Sequence, residues 1–334
     1  MRIIVDAFGG DNAPLEILRG AAMAVEKYKV DILLVGREEE IRRVAKENDI
    51  PLTGMEIVDA PDVIGMEDEP RSILKAHKNC SMAEGFRRLA AGEGDAIVSA
   101  GSTGALIMGA TFIVKRIKGV SRPALAPLVP SDKEPFLLID SGANADCRPE
   151  MLVQFARMGH LYMTRVLGRA DAKVGLLNIG TEPSKGGPLQ QETYQLLKDS
   201  DLPFIGNVEA RDVPAGVADI VVADGFTGNV LLKTIEGTAS MLMHNIKDIF
   251  KSNLLTKIAA AIVLPKMKGL KKKMDVSEVG GAPLIGVAKP VIKAHGNSDA
   301  KAFCSAIYQA TVFASAGVIE AITEAVAKSP DAAE

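Results

Sequence analysis

The chain has no tryptophan, four tyrosines and three cysteines in 334 residues, and no excess of basic charge. The shortage of aromatics removes the platforms on which single-stranded bases stack. A formal net charge of −3 leaves no basic face for a phosphate backbone, so nucleic acid is not expected as a partner. Cys80, Cys147 and Cys304 are odd in number, far apart and without zinc spacing. That excludes a disulfide framework and fits a reducing cytoplasm. The opening "MRIIVDAFGG" meets Asp6 too early to be expected to act as a secretory leader.

A long apolar run is also missing. Residues 96–114 pass nineteen positions without a charge, close to the ~20 of a membrane span. Three glycines and the pair Ser102–Thr103 interrupt the run, so a short strand, a turn and a buried helix are expected.

What is present is alternation. "RIIVDAFGG" is a β-branched run closed by glycines, followed by Asp11 or Asn12 as a helix cap and Pro14 in the first turn of "LEILRGAAMAVEKY". "DILLVG" and "MEIVDA" are strands around an exposed helix. A helix is expected from about Pro70 to Ala91, then a strand at "DAIVSAG". "PFLLIDSGAN", "AKVGLLNIGTEPSKGG" and "LPFIGNVEARD" continue as strands with loops, separated by helices. Such alternation predicts an α/β fold with a mostly parallel sheet covered on both faces, and ligands beyond the carboxyl ends of its strands. No low-complexity linker divides the chain, so residues 1–334 are expected to form one domain with a frayed tail, "AKSPDAAE".

Residues 237–276 break the pattern with a helical excursion interrupted at Pro265. An Ala- and Leu-rich face lies beside Lys257, Lys266, Lys268, Lys271, Lys272 and Lys273, with no acidic residue between Asp248 and Asp275. Two readings stand: an amphipathic segment docking on a membrane or an acidic partner, or a solvated helical hairpin at a subunit contact.

One turn is written twice. Aligned from Asp95 and Asp219, "DAIVSAGSTGALI" and "DIVVADGFTGNVL" share Asp, Val, Gly, Thr and Gly. Glycine permits the turn and close backbone approach, and a helix start offers N–H groups to an anion. The second copy carries Asp224 and Asn229 where the first has Ala100 and Ala105, which marks the second as the copy for chemistry. No Lys-Ser or Lys-Thr follows the last glycine, and the spacing is not GxGxxG, so neither a Walker loop nor a dinucleotide site is indicated.

Two further loops are polar. "LLNIGTEPSKGG" sets Asn178, Gly180 and Lys185 at a strand end, either an anion clamp or an ordinary solvated lysine. "VIKAHGNSDAKA" offers Lys293 and His295, with Ser298 as cap of the last helix. There is no G-x-S-x-G elbow, no H-E-x-x-H and no cysteine beside a base, so neither a metal nor a cofactor is expected. An enzyme of these parts would hold anions and stabilise charge without a nucleophile of its own.

In order, "DAFGGDNAP", "SAGSTGAL", "RIKGVSRPALAP", "GANADCRPEMLVQFARMG", "VGLLNIGTEPSKG", "FIGNVEARD", "DGFTGNVLLKTIEG" and "GGAPLIGVAKPVIKAHGNSDAKA" resemble the bacterial phosphate acyltransferases known as PlsX over nearly the whole chain. One departure is Ser102, where that family usually has Asn; the change removes an amide donor. The resemblance implies a reaction in which inorganic phosphate attacks the thioester of a long-chain acyl-carrier protein. Acyl phosphate would then feed a membrane glycerol-3-phosphate acyltransferase at the start of phospholipid synthesis. It also implies a three-layer α/β/α unit similar to isocitrate and isopropylmalate dehydrogenases, built from two intertwined duplicated lobes, dimeric and peripheral at the inner face of the cell membrane. The other readings are an NAD-dependent dehydrogenase of that fold and a non-catalytic membrane scaffold.

On that footing Lys185, His295 and backbone amides would bind phosphate, Asn178 and Asn229 would steady the thioester carbonyl, and Asp224 and Asp6 would orient the cations. Gly9, Gly10, Asn12, Gly101, Thr103, Gly104, Asn144, Gly180, Gly225, Thr227, Gly228, Lys293 and Ser298 would line the substrate site.

Overall fold

The computed structural model describes residues 1–253, 255–260, 262–263, 269 and 280–328. Lys266, Lys268, Lys271, Lys272, Lys273 and the tail from residue 329 lie outside these. The chain begins with β1 (Arg2–Asp6), α1 (Leu15–Tyr28), β2 (Asp31–Gly36), α2 (Glu38–Glu47), β3 (Met55–Asp59), α3 (Ser81–Ala90), β4 (Ala96–Ser99) and α4 (Thr103–Gly109). Then come β5 (Ala124–Leu125), β6 (Leu128–Val129), β7 (Phe136–Ile139), α5 (Pro149–Leu167), β8 (Val174–Asn178), α6 (Pro188–Lys198), β9 (Phe204–Glu209), β10 (Ile220–Val222) and α7 (Gly225–Lys251). It ends with β11 (Ala282–Ile285), β12 (Val291–Lys293), α8 (Ala300–Ser315) and α9 (Val318–Ala327).

The strands form two sheets, in the orders β3-β2-β1-β4-β12-β11-β5 and β6-β7-β10-β8-β9. Most neighbours are parallel; β11 and β6 are antiparallel to theirs. The expected mixed sheet is thus interrupted once, between β5 and β6. Pro127 in that link has no N–H to continue a ladder, although its carbonyl still accepts from the Leu138 amide.

Strand alternation builds the layers. In β1, Ile3 and Val5 join one buried cluster while Ile4 joins another on the opposite face. In the second sheet, Leu137, Ile139, Ile220 and Val222 face the same large cluster as Ile3, whereas Phe136, Leu138 and Val221 face a third. One apolar layer therefore runs beneath both sheets and joins them. Phe155, Tyr162 and Phe303 are fully buried in it, which seats α5 and α8 against the strands. At ~1.5–3 kcal/mol for each large side chain, this layer carries much of the fold's stability. Residues 96–114 are the expected strand, turn and helix, ending in one π-helical turn at Ala110–Val114.

Local differences have local causes. The helix expected over 70–91 is split into a 3₁₀ turn at Pro70–Leu74 and α3, because His77 Nδ1 lies 2.9 Å from Asp62 Oδ2 and Cys80 bridges to Asp62. Neither Asp11 nor Asn12 caps α1, whose N-cap position is Pro14; the Asn12 amide donates instead to the carbonyls of Asn297 and Ser298. Asp299, not Ser298, caps α8 by accepting from the Ala302 amide. The excursion does not start at 237, since α7 runs unbroken for 27 residues from the second turn. Among the described residues no single helix is long and apolar enough to cross a membrane.

Candidate active site

The first sheet gathers three loops at the carboxyl edge of β1, β4 and β12. Asp6, at the end of β1, is buried and accepts 2.6 Å bonds from the hydroxyls of Ser81 and Ser99. Burial lifts its carboxyl above the usual range, and the hydroxyls and the amides of Phe8 and Gly9 oppose that rise. Only glycine fits next to it: a Cβ on Gly9 would stand 2.5 Å from Asp6 Oδ2 and 2.6 Å from the Gly101 amide nitrogen. The first copy of the turn therefore lies directly against the loop after β1. Asp11 donates its amide to Gly296, and Gly10 sits under the same carbonyl, which ties that loop to the one carrying His295.

Beneath this turn is a buried cation. Lys293, 8% exposed, donates from Nζ to the carbonyls of Ala100 and Ala294. Burial lowers its pKa to about 8, with Asp11 and Asp6 opposing and Lys233 of α7 adding to the fall. Lys233 belongs to the helix that starts at the second turn, so the two halves share one field here.

The second sheet repeats the arrangement with different chemistry. Asp140 follows β7 as Asp6 follows β1, and its carboxylate accepts from the amides of Leu125, Gly142, Ala143 and Asn144 and from Asn144 Nδ2. The adjoining second turn is closed by its own acid. Asp224 accepts from the Thr227 amide at 2.8 Å and from its hydroxyl at 2.7 Å, capping α7. Gly228 approaches so closely that a Cβ there would fall 1.9 Å from the Asp140 carbonyl oxygen. Asn229, one residue on, is exposed beside Gly142.

The third polar loop is stapled by asparagines. Asn178 donates from Nδ2 to the Lys185 carbonyl and accepts from the Ile179 amide, while Asn207 of β9 donates to the Glu182 carbonyl. Lys185 folds over Gly180, where a Cβ would stand 2.9 Å from its Cγ, and its amine remains exposed, 3.9 Å from Glu182 Oε1.

Of the expected residues, the structure thus groups Asp6, Gly9, Gly10, Asn12, Gly101, Thr103, Gly104, Lys293, His295 and Ser298 along the first edge, and Asn144, Gly225, Thr227, Gly228 and Asn229 along the second. Asn178, Gly180 and Lys185 share the third loop. Among the described residues no hydrogen bond joins the Lys185 amine or the Asn229 amide to the first edge. Among the described residues no ion pair joins Asp6 or Asp224 to a cation: their oxygens accept from serine hydroxyls in one case and from the helix start in the other, although Asp6 acts on Lys293 through its charge. Asn178 likewise spends both ends of its amide on the backbone of its own loop.

Further residues shape these loops. Ser81, Ser99, Asp140 and Asn207 make these contacts, and only Asp140 carried a signal, since "FLLID" parallels "RIIVD". A further cleft of about 550 Å³ is lined by Arg116, Ser121, Arg122, Asp146, Arg148 and Met151.

A family model described as "Fatty acid synthesis protein" matches residues 1–321. The phosphate acyltransferase of Thermoanaerobacterium thermosaccharolyticum is 46% identical over 322 residues, covering 96% of each chain. That of Geobacillus thermodenitrificans is 48% identical over 324 residues, covering 96% of this chain and 98% of its own. In fold the chain is similar to a phosphotransacetylase from Streptococcus pyogenes, with a TM-score of 0.61 at 19% identity over 96% and 94% of the two chains. A branched-chain phosphotransacylase from Enterococcus faecalis aligns with a TM-score of 0.59 at 15% identity, over 94% and 99%. With a family model over residues 1–321 and relatives this similar along nearly their full length, the chain belongs to the phosphate acyltransferase (PlsX) family and is an acyltransferase enzyme.

Proposed function

We propose that the protein transfers the acyl group of a long-chain acyl-carrier-protein thioester to inorganic phosphate, releasing acyl phosphate and free carrier at the start of phospholipid synthesis. The observation that carries this reading is the pairing of glycine turns and cations with thiols held in the protonated form. Burial pushes Cys80 up to about 11 and Cys147 up to about 12, so neither is a thiolate near neutral pH. The buried Ser99 hydroxyl is bonded to a carboxylate, not to an imidazole. An acyl-enzyme step has no nucleophile in these groups, whereas phosphate brings its own.

A phosphate oxygen attacks the thioester carbonyl, the carbon–sulfur bond breaks, and the carrier's thiolate leaves with its electron pair and takes a proton from water. The free thiol's pKa of ≈ 8.5 makes it a competent leaving group without a strong acid. Lys185 and His295 hold the phosphate, and the exposed Asn229 amide donates to the carbonyl oxygen as it gains charge. Asp6, Asp224 and Asn178 act as positioning residues, through the first turn, the second turn and the lysine loop respectively. The two turns, each set beside a buried aspartate, are read as copies within one domain of two duplicated lobes.

Partners follow from the long helix and the segment just after it. Met241, Ile249 and Leu255 are 60%, 63% and 79% exposed, and Lys247, Lys251 and Lys257 stand among them. An apolar face with basic flanks suits a second subunit, an acidic carrier or an anionic membrane surface near the membrane glycerol-3-phosphate acyltransferase. The protein is placed in the cytoplasm, attached peripherally. The test is phosphate-dependent consumption of acyl-carrier protein, with acyl phosphate trapped by hydroxylamine; thioester that survives phosphate refutes the reading.

A further inference from the structure

The cleft lined by Arg116, Arg122 and Arg148 belongs to none of the loops assigned to phosphate attack. We propose that it binds the phosphodiester of the acyl donor's phosphopantetheine arm, an inference that rests on the transfer from acyl-carrier protein proposed above.

Three guanidinium groups on one cleft repel each other, and one carboxylate, Asp146, shares the lining. Among the described residues the side chains of Arg122 and Arg148 have neither a carboxylate partner nor a hydrogen bond, and both residues are exposed. A paired surface arginine is the ordinary case in this chain, as with Arg88 on Glu84 and Glu93 or Arg43 on Glu47. Unpaired planar forks facing one space suit an oxyanion with several acceptor oxygens, which each can meet with two donors.

The framework is fixed. Arg116 donates to the carbonyls of Val120 and Ser121, and the Ser121 amide donates to Gln154 of α5, so the loop before Arg122 is anchored at both ends. Arg148 directly precedes Pro149, the first residue of α5, and makes no side-chain cap bond to that helix. At about 550 Å³ the cleft is far larger than inorganic phosphate requires, but it has room for a phosphate with a chain attached.

The chain has somewhere to go. Asn144 accepts from the Gly225 amide of the second turn at 2.7 Å and donates from Nδ2 to the carbonyl of Pro123, next to Arg122, at 2.8 Å. One residue therefore ties the second turn to the segment that carries Arg122. A phosphodiester held at Arg122 and Arg148 leaves the arm's thiol end free to pass Asn144 toward the second turn and Asn229.

The test is steady-state kinetics of Arg122→Ala, Arg148→Ala and the double variant with three donors: acyl-carrier protein, acyl-phosphopantetheine and acyl-pantetheine, which lacks the phosphate. Wild-type turnover of acyl-carrier protein first establishes the reaction itself, so its failure is separate from failure of this proposal. Each single variant should raise the KM of both phosphate-bearing donors about tenfold, the loss of one charge-assisted contact. The KM for inorganic phosphate should stay within twofold, and acyl-pantetheine should not distinguish variants from wild type. A raised phosphate KM with unchanged donor KM would instead place the attacking phosphate in the cleft and overturn the proposal. So would an effect confined to acyl-carrier protein, which assigns the arginines to the carrier's surface, or equal donor KM values throughout. Circular dichroism and melting temperature, expected unchanged for these exposed side chains, verify that the variants fold.

Discussion

At the first turn Ser102 precedes α4 and makes no side-chain bond to the helix start, whereas at the second Asp224 closes α7 by accepting from both the amide and the hydroxyl of Thr227. Below the first turn lies the amine of Lys293, and its neighbouring aspartate is held by two serine hydroxyls. The corresponding aspartate at the second turn is held by backbone amides and one asparagine. The same backbone thus appears once with a cation beneath it and once with an anion built into it. On the function proposed above, Lys293 favours phosphate at the first turn despite Asp6, and Asp224 disfavours it at the second, so phosphate would lie toward the first edge and the acyl carbonyl toward Asn229.

The largest effect should separate the turns by packing alone. A Cβ at Gly228 would meet a backbone carbonyl oxygen at 1.9 Å, while at Gly104 it would meet the side chain of Pro70 at 2.6 Å. Gly228→Ala is expected to cost more than about 3 kcal/mol, beyond ordinary overpacking, since the carbonyl cannot step aside without moving Asp140. Gly104→Ala should cost about 1 kcal/mol or less, because the proline ring can shift and alanine favours the helix. Urea midpoints of the two variants measure this, and equal losses would erase the asymmetry.

Next in size is the cation below the first turn. Lys293 has its pKa lowered to about 8, chiefly by burial. Below that pH the buried ammonium destabilises the fold in full, and the penalty fades as pH rises from 8 toward the ordinary lysine value, because the unfolded chain then holds the extra proton. Relative to Lys293→Met, the wild type should gain about 3 kcal/mol of stability between pH 7 and pH 10.5. Parallel stability curves for the two would show that the amine is not desolvated.

Much of this was legible beforehand, and the boundary follows interaction range. Alternating strands and helices, the glycine turns and the loop ends are local patterns, and they appeared where hydrophobic period and turn chemistry placed them. Ser81 and Ser99 reach Asp6 across 75 and 93 residues, a distance no local pattern reports. The contacts of Asp224 are hidden for a related reason. An acid in a glycine turn reads equally as a partner for a cation or as a helix cap, and only the Thr227 contacts decide. Arg122 and Arg148 stand out because they line one cleft and, among the described residues, their side chains have no ion-pair partner, which a sequence does not show.

A smaller difference, catalytic on the function proposed above, lies at Asn229, exposed on the second turn where the first has the fully buried Ala105. Asn229→Ala should leave stability within about 0.5 kcal/mol, since among the described residues this exposed side chain has no hydrogen bond to lose. Its turnover number should fall about 100-fold, as for one oxyanion donor, with little change in the KM for phosphate. If stability falls and turnover holds, Asn229 is a packing residue and the acyl carbonyl must be sought elsewhere.

The smallest effect tests the charge itself. Removing the cap with Asp224→Ala should cost about 1 kcal/mol, whereas Ser102→Ala, with no side-chain cap bond to lose, should cost a few tenths at most. Asp224→Asn keeps an oxygen for the Thr227 amide and removes only the charge, so it should recover most of that loss. The same pair of variants can convert the second turn into an imitation of the first. With the carboxylate gone, the first amides of α7 become available to an anion, and inorganic phosphate should raise the melting temperature of Asp224→Ala more than that of the wild type. Equal shifts would mean that the carboxylate was not what kept phosphate from the second turn, and the difference between the turns would then rest on Lys293 alone.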